Sequence, residues 1–148
     1  MSDFIEIQLD KEELQQALNQ LADKTSDLRP LMKNIAAILE DSVEENFEQE
    51  GRPKWEMLKP STIKQRKKIK KWPGMILQVS QGGLASSITS YYDENSAVVG
   101  TNKVYAAIHQ FGGKAGKNKQ VEIPARPYLK VGYEEDAEIL KEIKNHLE

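Results

Sequence analysis

Between residues 105 and 129 the chain runs YAAIHQFGGKAGKNKQVEIPARPYL, and no single regular element can hold it. It opens on an apolar segment, Tyr105, Ala106, Ala107 and Ile108, then passes His109 and Phe111 to Gly112-Gly113, a pair suited to ending a helix. Residues 113–119 mix glycines with Lys114, Lys117 and Lys119, and are expected to project as a flexible hairpin tip. Residues 121–123 can pair as a strand. Pro124 and Pro127 then forbid regular structure between them and fix a rigid turn that presents Arg126 and leads into Tyr128 and Leu129. Tyr105, Ile108 and Phe111 are expected to bury.

The flanks supply the elements around this stretch. Ile5, Ile7 and Leu9 alternate with Glu6 and Gln8, the pattern of a half-buried strand over residues 4–9. Asp10 and Glu13 form a capping-box arrangement before a helix over residues 11–23 carrying Leu14, Ala17, Leu18 and Leu21. A second, long helix is predicted from near residue 28 to residue 48, with Pro30 in its first turn. Its stripe is Leu31, Ile35, Leu39, Ser42, Val43 and Phe47, widened by Met32, Ala36 and Ile38. Its outward face is acidic, with Glu40, Asp41, Glu44, Glu45 and Glu48. Trp55 should pin the polar loop 49–60 to a core. Ser61 or Thr62 can cap a short basic helix over residues 63–71, and Trp72-Pro73-Gly74 closes it. An apolar run of Met75, Ile76, Leu77 and Val79 follows. Residues 89–92 and 97–100 read as an antiparallel hairpin around a polar turn, and Thr101 or Asn102 can cap the helix that enters residues 105–111. Ala137, Leu140, Ile143 and Leu147 set a closing helix over residues 134–147.

These elements imply an α+β fold: a small antiparallel sheet packed against a long helix with short flanking helices, in a single domain over residues 1–148. A chain of 148 residues can bury roughly 70% of its unfolded surface. No apolar run is long enough to span a membrane, and the opening residues MSDFIEIQLD carry no basic leader or apolar signal core, which points to cytoplasmic synthesis. The absence of cysteine excludes disulfides, thiolate zinc sites and a cysteine nucleophile. The net charge of −2 conceals a strong asymmetry: −9 over residues 1–50, +8 over residues 51–71 and −1 beyond. A chain so divided can associate head to tail, or set a basic face against an acidic partner.

Chemistry-bearing residues are sparse. His109 and His146, the two histidines, lie on separate elements, and Ser80, Ser86, Ser87 and Ser90 occur without a nucleophile elbow. No metal constellation, cofactor motif or small-molecule site is visible; the glycine–lysine loop lacks the spacing of a phosphate-binding loop. Lys64, Arg66, Lys67, Lys68, Lys70 and Lys71 place six cations in eight residues. They can contact a phosphate backbone non-specifically, form a solvated helix, or face the acidic helix of a neighbour. Arg126 can bridge to the acidic second helix or serve as an intersubunit anchor through its rigid guanidinium fork. Lys114, Lys117 and Lys119 can meet a neighbouring subunit or DNA.

The order of motifs resembles a known family. It begins with Gly51-Arg52-Pro53-Lys54-Trp55, Leu58, Ser61-Thr62 and the basic helix, then Ile76-Leu77 and Gly83-Leu84-x-x-Ser87-Ile88. It continues with Val99-Gly100-Thr101, the run from Tyr105 through His109 and Phe111 to Gly112-Gly113, and Ile123-Pro124-Ala125-Arg126-Pro127-Tyr128-Leu129. Over residues 30–148 the chain is similar to the phage virion morphogenesis proteins, the Mu-like and P2-like tail completion proteins. Gln81 stands where a threonine is frequent, and Tyr128 where phenylalanine is usual. The resemblance implies a non-enzymatic structural protein of a tailed phage or prophage that completes the tail or the head–tail joint. It further implies a homo-oligomeric ring like those of tail-terminator proteins, contacts with other tail or connector proteins, and residence in the virion after assembly in the host cytoplasm. In that setting Trp55, Tyr105, His109, Phe111, Gly112, Gly113, Pro124, Pro127 and Tyr128 are expected to act as structural motif residues.

Overall fold

A 20-residue helix, α2 (Arg29–Glu48), is the longest element of the chain. The Arg29 amide donates to Asp27 Oδ1 at 3.2 Å, and Pro30 sits in the first turn, where its missing N–H costs nothing. A computed structural model describes residues 5–6, 12–24, 27–78 and 83–147. The proposed strand over residues 4–9 is described only as β1 (Ile5–Glu6), and the Asp10–Glu13 cap lies outside the described residues. α1 (Glu12–Lys24), α3 (Pro60–Lys68), α4 (Ala106–Phe111) and α5 (Tyr133–Leu147) complete the helices. β2 (Thr89–Tyr92) and β3 (Ala97–Thr101) pair antiparallel, with Thr89 opposite Gly100 and Tyr92 opposite Ala97; β3 is central in the order β1-β3-β2. β4 (Gly113–Ala115) and β5 (Val121–Ile123) form a separate antiparallel pair. The α+β class follows from this set.

The chain gathers into two compact units. One comprises residues 6–43, 88–100 and 129–148. Its core is helix on helix: Leu31, Met32, Ile35 and Ile38 of α2 meet Ile139 and Ile143 of α5, with Ala17, Leu18, Leu28, Leu39 and Ala97 packed alongside. The sheet joins this core through Ala97 and through Ser90, whose hydroxyl donates to Glu40 Oε2 at 2.7 Å. Asp93 organises the β2–β3 turn by accepting from the amides of Asn95 and Ser96 and from the Ser96 hydroxyl; those bonds hold its carboxyl below the usual range.

The closing helix is turned relative to its expected stripe. Ile139 and Ile143 are buried together with Glu135, whereas Ala137 is exposed and Leu140 half-buried. The Glu135 carboxylate accepts from the Gly132 amide ahead of the helix, and this bond at the helix start goes with the rotation.

The other unit comprises residues 1–5, 44–87 and 101–128. Its apolar interior is small and aromatic. Phe47 lies 6.0 Å from Trp55, edge to face, and 5.3 Å from Tyr128, with Leu58, Ile76, Leu84 and Ala106 also buried. Helix α3 starts at Pro60, with no side-chain cap from Ser61 or Thr62, because proline at the first position needs no amide partner. Thr101 does not cap α4 either. It is fully buried, accepts from the Lys103 amide, and shares a 2.6 Å hydroxyl contact with Ser87.

Candidate functional site

In the segment that follows β5, Arg126, Pro127 and Tyr128 turn their polar groups inward. The Arg126 amide donates to His109 O at 2.8 Å, its Nε to Glu56 O at 2.9 Å and its second guanidinium nitrogen to Met57 O at 3.2 Å. Pro127 O accepts from Trp55 Nε1 at 3.1 Å. Tyr128 is fully buried: its hydroxyl donates to Ala106 O at 2.8 Å, its amide to Gln110 Oε1, and its carbonyl accepts from Asn46 Nδ2 at 2.8 Å. Burial raises the Tyr128 phenol, which stays protonated and donating. The prolines keep this stretch outside any ladder, so the Arg126 amide turns to the His109 carbonyl and the side chains of Trp55, Gln110 and Asn46 satisfy Pro127 O and the Tyr128 backbone.

Arg126 therefore makes neither an ion pair to the acidic second helix nor an exposed anchor. Its fork is spent on two carbonyls of the 49–60 loop, and burial, outweighing nearby Glu56, lowers its pKa. Arg66 behaves alike. It is buried, and its two guanidinium nitrogens donate to Met75 O at 2.8 Å and Ile76 O at 2.6 Å, which fastens the segment after α3. This takes Arg66 out of the proposed DNA-facing set; Lys64, Lys67, Lys68, Lys70 and Lys71 remain exposed.

Gly112 ends α4 as its sequence suggests, its amide donating to Ile108 O with φ at +74°. A Cβ there would stand 2.8 Å from the Ala125 amide nitrogen, so this backbone approach admits glycine alone. Tyr105 and Phe111 do not bury. Phe111 is 61% exposed and Tyr105 39%, whereas Ala106 and Gln110 turn inward and Ile108 is half-buried. The helix is only six residues long, and the four-residue repeat that buries Ala106 and Gln110 leaves its other faces outward.

The glycine–lysine stretch is not one irregular loop. Gly113, Lys114 and Ala115 pair with Ile123, Glu122 and Val121, and residues 117–119 make the kinked turn at the tip, with Asn118 and Lys119 at positive φ. Lys114, Lys117 and Lys119 are all exposed. The Lys59 ammonium donates to Glu122 O at 3.0 Å and ties the hairpin to the start of α3.

A cleft of about 360 Å³ lies beside this framework, lined by Arg66, Ile76, Leu77, Gly83, Leu84, Tyr105 and His109. His109 Nδ1 is buried there without a hydrogen-bond partner, and burial, followed by the charge of Arg126, lowers its pKa. The imidazole is therefore neutral at pH 7, and no carboxylate is among the cleft's lining residues to orient it. No group of acidic, histidine or cysteine side chains among the described residues could hold a metal ion, and no described helix is long and apolar enough to cross a membrane. The inward roles of Asn46, Gln110 and Arg66 escaped sequence reasoning. Each stands on or beside an apolar stripe, and that position was the available signal.

The fold is thus an α+β chain whose most distinctive motif clamps its own backbone. The chain belongs to the phage virion morphogenesis family, whose model matches residues 9–148. It is 43% identical over 146 residues to the Mu-like prophage FluMu G protein 2 of Haemophilus influenzae, covering 98% of this chain and 97% of that one. It is 34% identical to the putative capsid assembly protein G of Escherichia phage Mu, covering 99% of this chain and 96% of that protein. The FluMu G protein 1 of Haemophilus influenzae is 33% identical, with 91% and 89% covered. No solved structure matches. A phage structural or assembly role, with virion proteins as partners, follows from this membership.

Proposed function

We propose that the protein is a non-enzymatic assembly factor that completes the tail or the head–tail joint of a tailed phage or prophage, working as a ring built in the host cytoplasm. The observation that carries this reading is the inward commitment of the family-like motif: Arg126, Pro127 and Tyr128 spend their polar groups on holding four segments together. Such a motif shapes a subunit rather than a reaction. The name of the phage Mu relative points to the head side of the joint, the resemblance to tail completion proteins to the tail side. Both meet at one place in the virion. The test is a prophage lacking this gene, induced and viewed by electron microscopy. Separated heads and tails, rejoined when the gene is supplied in trans, are expected; complete infectious particles without the protein would overturn the reading.

A second reading is favoured by the five exposed lysines of α3 and the turn after it: non-specific contact with DNA. It expects duplex binding that falls steeply with salt and that is lost in Lys67→Glu/Lys68→Glu/Lys70→Glu; equal retention of DNA by that variant at low salt excludes it.

A further inference from the structure

The β4–β5 hairpin has two unlike faces. In an antiparallel pair, directly opposed residues share a face, so Lys114 and Glu122 lie on one side while Ala115, Val121 and Ile123 lie on the other. That second side is apolar; Ile108 lies against its Gly113 end, while Val121 remains 50% exposed. Phe111, just before the hairpin, is 61% exposed. A hairpin of two three-residue strands is too small to be stable alone in water. Its apolar side is the kind of surface that partners cover.

Charge indicates what covers it. The unit that carries the hairpin holds 14 basic and 7 acidic side chains, a net +7; the other unit holds 7 basic and 16 acidic, a net −9. Much of that positive charge lies on α3 and the turn after it; within the hairpin Glu122 offsets Lys114 across the strands, so the hairpin's own excess sits at the tip on Lys117 and Lys119. No described carboxylate forms an ion pair with either. We infer that the apolar side of the β4–β5 hairpin, with Phe111, docks on the acidic unit of a second copy of this chain, Lys117 and Lys119 steering the approach. Exposed apolar side chains beside the cations suit a protein partner better than a phosphodiester backbone, which would leave Phe111 and Val121 wet. The contact is heterologous, one surface against a different surface, and so can propagate or close. It deepens the assembly reading and rests on it.

Sedimentation velocity on the full chain tests the contact, with Lys117→Glu/Lys119→Glu and Phe111→Ser/Val121→Ser as variants. All four positions are exposed, so thermal melting of each variant should match the parent and exclude misfolding. The parent is expected to form larger species at about 0.05 M salt and to lose them near 0.5 M. Each variant should need on the order of 100-fold more protein to assemble, since the reversed charges repel an acidic surface and the serines remove the apolar area to be buried. A variant keeps its acidic unit, so labelled variant should still join parent protein as a chain end. Variants that assemble as well as the parent, or a parent that is monomeric throughout, would overturn the contact. So would duplex DNA binding that requires Lys117 and Lys119 in a monomeric protein. A monomer that still restores infectious particles would sink this contact and the ring, while leaving the role in completing the tail or head–tail joint intact.

Discussion

The two units hold themselves together by different means. In the unit built on α2 and α5, Leu31, Ile35, Ile139 and Ile143 pack as apolar stripes, and buried Ser42 and Glu135 bond Lys130 O and the Gly132 amide in the approach to α5. In the other, Arg66, Arg126, Gln110, Asn46 and Thr101 are buried and bonded, three of them to carbonyls of segments without regular structure. The first arrangement is non-directional and tolerates substitution of like for like. The second depends on donor geometry, where a lost partner leaves a carbonyl dry and unpaired. Sequences of this kind can therefore drift in the helical unit while the polar one stays narrowly constrained.

Tyr128→Ala should do most to break the contrast, removing a buried ring packed on Phe47 and the bond to Ala106 O at a cost of about 4 kcal/mol in urea unfolding. Arg126→Lys comes next. A single ammonium cannot span Glu56 O and Met57 O as the fork does, and about 2 kcal/mol should be lost although the charge is kept. Ile143→Val, an equally mild change in the apolar unit, should cost about 1 kcal/mol by the same measurement. If Arg126→Lys proves the milder of the two, the contrast is wrong.

The smallest effect belongs to His109. Burial, then Arg126, depresses its pKa, so the unfolded chain takes up a proton before the folded one does. Its stabilising contribution is complete above the ordinary value of 6.5 and declines as pH falls from there toward the folded pKa. The urea midpoint should fall more for the parent than for His109→Asn across that window; identical slopes would show that the imidazole titrates freely.

Periodicity made α2 legible, though not the stripe of α5, and the β2–β3 turn and the end of α4 at Gly112 follow from polar residues and glycine at the breaks. Pattern also marked Trp55 as a pin, and its indole nitrogen meets Pro127 O. It failed at Arg126 and Arg66, which composition places at the surface. It failed again at Phe111, whose helix is too short for an apolar residue to announce which side faces in.

The 105–129 stretch shows where the division falls. Its sequence alone fixed the breaks, because glycine and proline act on their own backbone: Gly112 can adopt φ at +74°, and the prolines bar a strand after Ile123. The direction in which Arg126 points was decided by the tertiary structure. The carbonyls it binds belong to residues 56 and 57, some 70 positions away, and no local rule carries information about an acceptor that distant. The same holds for the hairpin: residue spacing placed lysines on a loop, but only the register Lys114 opposite Glu122 and Ala115 opposite Val121 sorted it into a charged side and an apolar one.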